Sequence, residues 1–360
     1  MKIGILTFHC ANNYGAVLQC YALQEYLKSL GHEAYVIDYR PDYVVRRYRV
    51  FSRRNWIVRD FKKTIKKLLS EPYLCIVRYK RNRGLESFIK SRYNLYPYSA
   101  DKSVFDAIVL GSDQIWNPNL TGKSFDEVFF GKDFHCKKIS YAASNRSECL
   151  SSAEEAFYSK HLAELDGIGV REKTLQALLQ PLTTKKVHLN VDPTLLSDKS
   201  WTSKLNLTKP LDAEYVMLYE VTRHQKNRCL AMEYANRNKY SFVELTGALA
   251  LSVRHTKYLD QTASPEKFLS YLKYAKCVFT TSFHGTALSI LFEKEFFYIR
   301  QYTSSDLRIE SLLEVLGLKE RILDRGEMPQ AVPIDYNSIR EKVEIFRKDS
   351  VLYLKDALEN

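Results

Sequence analysis

Short apolar runs alternate with amphipathic stretches along most of the 360-residue chain. The first run, KIGILTF, is followed by ANNYG, which favours a turn, and by AVLQCYALQEYLKSLG, whose apolar residues recur at helical spacing up to Gly31. A second apolar run, EAYVIDY, comes next. A strand, a helix and a second strand in this order predict a βαβ unit with parallel strands.

The same alternation continues through both halves of the chain. In the first half, further strands are predicted at DAIVLG, KKISYAAS, GIGVRE and VHLNVDP, and in the second half at YVMLYEV, SFVEL, CVFTTS and FFYIR. Amphipathic stretches separate most of these runs, so the sequence predicts an α/β fold with two Rossmann-like domains.

The polar, turn-rich stretch SDKSWTSKLNLTKPLDAE marks the expected boundary between the domains. We expect an N-terminal Rossmann-like domain over residues 1–205, which includes a basic helical excursion at about 40–92. A C-terminal Rossmann-like domain is expected over 206–330, followed by a C-terminal helix within 331–360.

Charge changes this picture in the segment between residues 40 and 92. The whole chain has a net charge of +12, whereas this segment has 17 Lys or Arg against 4 acids, an excess of +13. Apolar residues recur in it at roughly helical spacing from Phe61 onward. Two interpretations stay open: a surface that binds anionic lipid or a diphosphate, and a packed helix whose charges are simply solvated.

Several classes of site are not supported by the sequence. The seven cysteines are scattered without C-x-x-C spacing, which argues against a disulfide framework or a zinc site and favours a reducing cytoplasm. No His, Asp or Glu cluster has metal-ligand spacing, and neither G-x-G-x-x-G nor a P-loop occurs. We expect neither metal nor cofactor, and no signal peptide or transmembrane helix.

Candidate functional residues fall in the loops that follow the predicted strands. Ligands of open α/β sheets bind at the carboxyl ends of strands, where helix N-termini present free N–H groups to anions. The residues at such ends are Asn12, Asn13, Asp113, Arg171 and His284.

An ordered series of motifs resembles the polysaccharide pyruvyl transferase family. The motifs are ILTFHCANNYGAVLQCYALQEYL, VLGSDQIWNP, KKISYAAS, VREKT, VDPTLL, PEKFLSYLKYAKCVFTTSFHGTALSILF and RIESLLEVLGL, from residue 3 to about 318. The resemblance implies a GT-B-like fold and an enzyme that transfers pyruvate from phosphoenolpyruvate onto two hydroxyls of a sugar, with release of phosphate. Its product would be a surface polysaccharide, such as an exopolysaccharide or capsule, or a lipid-linked precursor.

The resemblance also implies a donor site in the C-terminal domain. A small trianion favours arginine forks, and the family's histidine and arginine correspond to His284 and Arg171. We expect His284 to act as an acid or proton shuttle, and Arg171, Arg308 or Arg300 to bind the donor together with the remaining members of the His284 turn, Ser282 and Gly285. The alternatives are that His284 only caps its helix, that Arg171 forms a surface salt bridge and that Arg308 only heads its helix.

The acceptor site is expected in the N-terminal domain. Some relatives have an acid after the glycine of the first loop, whereas Ala16 follows Gly15 here, so Asp113 is the substitute catalytic base. Asp113 could instead cap the helix expected after it. Asp192 is expected only to stiffen the crossing between the domains. The expected acceptor-binding residues, of which Trp116 would stack on a sugar ring, are Asn12, Asn13, Tyr14, Asp113, Gln114, Trp116 and Asn117.

Two other functions fit parts of the sequence. The same architecture serves nucleotide-sugar glycosyltransferases of polysaccharide assembly, and the basic segment would suit a nucleic-acid-binding protein. The preferred interpretation involves no nucleic acid. Its partners are phosphoenolpyruvate, a lipid-linked sugar acceptor and an anionic membrane, which a cytoplasmic protein would meet at the inner membrane face.

Overall fold

A computed structural model of the chain describes residues 1–49, 61–249, 259–330 and 332–359, without the side chains of 47 and 61–69. The strands of the first half are β1 (Lys2–Leu6), β2 (Glu33–Asp38), β3 (Leu95–Pro97), β4 (Ala107–Leu110), β5 (Lys137–Ser140), β6 (Ile168–Val170) and β7 (Val187–Leu189). The helices of this half are α1 (Tyr14–Ser29), α2 (Asp42–Val45), α3 (Phe61–Arg92), α4 (Ser152–Ala163), α5 (Lys173–Leu179) and α6 (Pro193–Leu196).

The N-terminal sheet is parallel, with the order β3-β2-β1-β4-β5. Ile5 of β1 pairs with Val36 on one side and with Val109 on the other, which puts this continuous apolar run at the centre of the sheet. Single bridges from Ile139 and Ala143 continue the sheet to the parallel pair β6 and β7. The first predicted βαβ unit is confirmed.

The C-terminal sheet is also parallel, with the order β10-β9-β8-β11-β12-β13. Its strands are β8 (Tyr215–Glu220), β9 (Ser241–Thr246), β10 (Leu259–Asp260), β11 (Cys277–Thr280), β12 (Glu295–Ile299) and β13 (Ile322–Leu323). The helices are α7 (Gln225–Arg237), α8 (Pro265–Tyr274), α9 (Phe283–Leu291), α10 (Asp306–Leu316) and α11 (Tyr336–Glu359). The predicted α/β fold with two Rossmann-like domains is therefore confirmed.

Helix α3 packs on the N-terminal domain and also contacts the C-terminal domain. Leu85, Phe88 and Ile89 are buried in the main core, whereas Arg81 crosses to the C-terminal domain and donates to the carbonyl oxygens of Thr246 and Gly247 at 3.0 and 2.8 Å. The helical spacing expected from Phe61 is confirmed in the backbone. The stretch between residues 50 and 60, and the side chains of 61–69, lie outside the described residues. The basic segment thus contains a long helix with one buried face.

The C-terminal helix α11 returns to the N-terminal sheet. Tyr353 donates its hydroxyl to the carbonyl oxygen of Ser140 at 2.6 Å, and Lys137 donates to the carbonyl oxygen of Leu358 at 3.1 Å. The described parts of the chain contain no helix that is both long enough and apolar enough to cross a bilayer.

Candidate active site

A cleft of about 410 Å³ opens between the two sheets, and the loops that line it all follow the carboxyl ends of strands. The N-terminal domain contributes residues after β1, β2, β4 and β5, and the C-terminal domain contributes residues after β8, β11 and β12. The N-terminal turns of α1, α9 and α10 reach the cleft, so their partial positive charges favour an anion there. Six of the predicted site residues line it: Asn13, Asp113, Gln114, Ser282, His284 and Arg308.

His284 lies in the first turn of α9, against the other domain. Ser282 caps this helix, because its Oγ accepts from the N–H of Gly285 at 3.4 Å. The His284 ring rests on Gly15 at the start of α1, where a Cβ atom would come within 2.0 Å of Nδ1. Its Nε2 faces Oδ2 of Asp192 at 3.5 Å. The imidazole thus contacts both domains, and Ser282 rather than His284 caps the helix.

Asp192 and Arg171 form a buried ion pair behind His284. Nη1 of Arg171 donates to Oδ2 of Asp192 at 2.8 Å, and Nε of Arg171 lies 3.3 Å from Oε1 of Glu172. Burial alone would raise the pKa of Asp192, but His284 and Arg171 outweigh it and hold that pKa well below its ordinary value. Arg171 is 2% exposed, so it is not the surface salt bridge considered as its alternative. Its Nη2 has no hydrogen-bond partner.

Arg308 and Arg146 bring further positive charge to the cleft. Burial, together with the neighbouring Arg171, lowers the pKa of Arg308 to about 10, which still leaves it charged at neutral pH. The Nε atoms of Arg308 and Arg146 are both buried without a hydrogen-bond partner. When the Gln114 amide is oriented with its oxygen toward Arg308, that oxygen accepts from Nη1 at 3.0 Å. Phe283 lies beside both Arg171 and Arg308, with its ring centre 4.3 and 6.0 Å from their guanidinium carbons.

Asp113 lies on the N-terminal side of the cleft in a left-handed backbone conformation, with φ 76°. The helix expected after it is not formed, because residues 111–126 are turns and irregular structure. The alternative that Asp113 caps this helix is therefore wrong. Oδ1 of Asp113 lies 3.8 Å from Nη2 of Arg171, and its side chain is 13% exposed.

Two predicted acceptor residues of the same loop are used internally. Trp116 is fully buried, stacks on Phe130 at 5.0 Å and donates its indole N–H to the carbonyl oxygen of Phe129 at 3.1 Å. Its expected stacking on a sugar is therefore wrong, because no face of the ring is accessible. Asn117 is 1% exposed and accepts from the N–H of Asn119 at 3.0 Å, so it stabilises the turn.

Four other predicted residues do not line the cleft in the described structure. Tyr14 stacks on Phe268 of the other domain, and Asn12 donates to the side chain of Asn82 on α3. Gly285 is packed against Thr280, since a Cβ atom there would come within 2.2 Å of the threonine Oγ1. Arg300 is 40% exposed and pairs with Glu310 at 3.1 Å and Asp324 at 3.6 Å, so Arg308 is the arginine of the two that reaches the cleft.

Comparison with protein families identifies the relatives of this chain. The family model described as polysaccharide pyruvyl transferase matches residues 13–301. The chain belongs to this family. The resemblance drawn from the sequence motifs is thereby confirmed, and the cleft is the candidate active site of a pyruvyl transferase. A comparison with curated proteins gives no significant match.

Several solved structures align with this pyruvyl transferase along most of its length at low sequence identity. The UDP-GlcNAc 2-epimerase from Neisseria meningitidis bound to UDP-GlcNAc is 11% identical, with a TM-score of 0.49 over 99% of this chain and 94% of that one. UGT89C1 of Arabidopsis thaliana complexed with UDP-L-rhamnose is 11% identical, with a TM-score of 0.48 over 99% and 98%. The glycosyltransferase SnogD from Streptomyces nogalater is 13% identical, with a TM-score of 0.43 over 98% and 95%.

Sequence reasoning missed the roles of Arg146, which lines the pyruvyl transferase cleft, and of Asp192, which is buried behind His284. Arg146 lies in a short polar loop, whose composition carries no periodic signal. Asp192 precedes a proline, which indicates a turn and a helix cap, and it does cap α6 through the N–H of Thr194 at 3.0 Å. Its contact with His284 joins segments distant in sequence, so no local pattern could have indicated it. Among the described residues, no group of three His, Cys, Asp or Glu side chains is arranged to hold a metal ion.

Proposed function

We propose that the protein transfers pyruvate from phosphoenolpyruvate to two hydroxyls of a sugar and releases inorganic phosphate. The observation that carries this proposal is the convergence of Arg146, Arg308 and His284 on one cleft, with buried guanidinium nitrogens that lack hydrogen-bond partners. Such nitrogens are costly to bury unless a ligand accepts from them. A small anion with several oxygens fits this need.

Phosphoenolpyruvate suits the cleft because it combines a phosphate and a carboxylate. Guanidinium forks pair with both groups in bidentate geometry. The N-terminal turns of α9 and α10 reach the cleft, and their dipoles favour an anion there. Arg308 and Arg146 would bind the donor directly. Arg171 already pairs with Asp192 and Glu172, so it would act mainly on the position and charge of its neighbours.

The reaction balances without a further reactant. The methylene carbon of phosphoenolpyruvate gains a proton, and a sugar oxygen bonds to the adjacent carbon. The second sugar oxygen then bonds to the same carbon, and the bond between that carbon and the phosphate oxygen breaks. Of the two hydroxyl protons, one ends on the new methyl group and the other on phosphate. His284, beside the donor, would transfer one of them.

The acceptor would bind on the N-terminal side of the cleft. Asn13, Asp113 and Gln114 offer polar groups to sugar hydroxyls there, and Asp113 would serve as the base. Tyr48, which also lines the cleft, presents an aromatic ring in place of the buried Trp116. Tyr48 belongs to the start of the basic segment, and its carbonyl oxygen accepts from Asn82 of α3 at 2.7 Å.

We further propose that the acceptor is lipid-linked and that α3 contacts the anionic cytoplasmic face of the membrane. One face of this helix exposes Tyr73, Ile76 and Tyr79, which are 41, 57 and 55% accessible. Lys80 and Arg83 are exposed on the same stretch of the helix. Aromatic and aliphatic side chains flanked by basic groups suit the interface of an anionic bilayer.

The decisive experiment measures phosphate release from phosphoenolpyruvate with a panel of sugar acceptors, both lipid-linked and soluble. Wild type should release phosphate only with the correct acceptor, and His284→Ala should lose roughly 100-fold in turnover, the scale of one general acid or base. His135→Ala, a change at an exposed histidine, serves as the control and should keep full activity. Transfer from a nucleotide sugar, with no use of phosphoenolpyruvate, would instead support a glycosyltransferase.

A further inference from the structure

The two nitrogens of His284 have different surroundings. Nε2 is buried, faces Oδ2 of Asp192 at 3.5 Å and has no hydrogen-bond partner at ordinary distance. Nδ1 lies on the side of the ring that rests on Gly15, at the start of α1. Since Nε2 is turned to a carboxylate, Nδ1 is the nitrogen left for a reacting molecule in the cleft.

Asp192 is held in place far more firmly than a helix cap requires. Its Oδ1 accepts from the N–H and the hydroxyl of Thr194 at 3.0 and 2.8 Å. Its Oδ2 accepts from Nη1 of Arg171 at 2.8 Å and from Oγ of Ser112 at 3.3 Å. The carboxylate is completely buried. It is therefore a fixed negative charge beside His284.

We propose that Asp192 is the positioning residue of His284: its carboxylate holds the proton of the neutral imidazole on Nε2 and stabilises the imidazolium, so that Nδ1 exchanges protons with the reacting molecule. This inference rests on the proposed function for the identity of that molecule. The arrangement follows the logic by which a buried carboxylate fixes the tautomer of a catalytic histidine. Catalytic hydrogen bonds are often long in an empty site and shorten in the complex, so a separation of 3.5 Å is compatible with this role.

Arg171 completes the arrangement from the other side of the carboxylate. It neutralises part of the Asp192 charge and stacks on Phe283, the residue next to His284, at 4.3 Å. The ion pair thus fixes both the carboxylate and the turn that carries the histidine. Gly15 matters for the same reason, because any side chain there would collide with the imidazole.

The first test needs only the wild-type protein. Long-range proton–nitrogen NMR of the histidine rings reports the tautomer and the titration of each imidazole, and His284→Gln identifies the signals of His284. Neutral His284 should carry its proton on Nε2. A neutral ring protonated on Nδ1 would overturn the proposal. This readout requires no turnover, so it stands or falls separately from the proposed function, which fails if wild type releases no phosphate from phosphoenolpyruvate.

The second test uses Asp192→Asn, which keeps a capping oxygen for Thr194 and removes the charge. The preference of the neutral His284 ring for a proton on Nε2 should weaken, because the carboxylate that faces this nitrogen loses its charge. The other charged groups of this part of the cleft, Arg171, Arg308, Arg146 and Asp113, are retained, so the change reports Asp192.

Asp192→Asn should lower kcat by roughly 10- to 100-fold and shift the pH dependence of kcat. The KM for phosphoenolpyruvate should change little. Asp198→Asn is the matched control, since Asp198 caps a short 3₁₀ helix through the N–H of Ser200 at 2.9 Å. An unchanged tautomer of His284 in folded Asp192→Asn would reduce Asp192 to a structural cap.

Discussion

At the scale of single residues, the arginines of the cleft differ in what they already bind. Arg171 has carboxylate partners on two sides and only its Nη2 lacks a hydrogen-bond partner, whereas Arg308 and Arg146 each bury an Nε without a hydrogen-bond partner. The sequence shows where the arginines are, but only the folded structure shows which groups they bind. The unsatisfied donors are the ones that a ligand would complete.

This difference predicts the kinetics of arginine variants. Arg308→Lys and Arg146→Lys keep the charge and lose the fork, so the KM for phosphoenolpyruvate should rise roughly tenfold or more, with a smaller effect on the KM for the sugar. The measurement is initial-rate phosphate release with each substrate varied in turn. Arg300→Lys is the matched control, because Arg300 pairs with Glu310 and Asp324 outside the cleft. A change confined to the sugar KM would assign the arginine to the acceptor instead.

Glu220, at the end of β8, gives a second prediction for a single side chain. Burial raises the pKa of Glu220 to about 7, although Asn227 and the N–H of His224 donate to its oxygens at 2.8 and 3.2 Å. A pKa raised by folding contributes stability that is present below the unfolded pKa and is lost as pH rises through the folded one. As pH rises from about 4.5 to about 7, Glu220 should therefore progressively lower the free energy of unfolding.

The comparison is between the melting temperatures of wild type and Glu220→Gln from pH 5 to 8. The variant should lose less stability over this range, by an amount on the order of 3 kcal/mol at most. Glu214→Gln, an exposed change just before the same strand, should follow wild type. Parallel curves for wild type and Glu220→Gln would mean that ionisation of Glu220 does not lower the stability of the folded protein.

At the scale of secondary-structure elements, α3 has one buried face and one exposed face. Its inner face is core, and Arg81 binds carbonyl oxygens of the other domain. Its outer face exposes aromatic, aliphatic and basic side chains together. The helix is thus a structural part of the domain junction, and the proposed membrane contact concerns only its outer face.

Reversal of two charges on that outer face tests the membrane contact. Lys80→Glu with Arg83→Glu should weaken binding to phosphatidylglycerol vesicles at least about tenfold, because each basic group near an anionic surface contributes about 1 kcal/mol. Wild-type binding should also weaken as salt rises. Sedimentation with vesicles measures both. The control is Lys348→Glu with Lys355→Glu, the same charge change on the exposed part of α11. Equal binding by wild type and both variants would leave α3 with its structural role alone.

The sequence predicted elements best where burial is continuous. The apolar runs at β1, β8 and β11 lie at the centres of their sheets, so local composition and final environment agree. The loop after β4 was harder, because Trp116 has the chemistry of a sugar-binding residue and only tertiary packing on Phe130 buries it. The short strands β3, β10 and β13 were missed, since two or three residues carry too little pattern.

At the scale of the whole molecule, the candidate site exists only where the domains meet. His284 comes from the C-terminal domain, whereas Gly15 and Asp192 come from the N-terminal one. A single apolar core continues from one domain into the other, so the two sheets are held together by more than the linker. Sequence reasoning located the loops on each side but could not show which side chains would come into contact across the cleft.

The chemistry of this shared cleft leads to a prediction about metal ions. Its anion ligands would be arginines and helix N-termini, so activity should survive exhaustive EDTA treatment. Phosphate release before and after chelation is the measurement. Mock dialysis without EDTA is the control. Loss of activity that Mg²⁺ or Mn²⁺ restores would contradict the prediction and add a metal to the mechanism.

The return of α11 to the first sheet has a consequence for how the protein is made. Ser140 and Lys137, on the last strand of the five-stranded sheet, receive their partners Tyr353 and Leu358 only after the whole second domain has been synthesised. At ordinary rates of translation, the interval between β7 and α11 lasts about 7 to 30 s. During that time one side of the nascent N-terminal domain is without its covering helix.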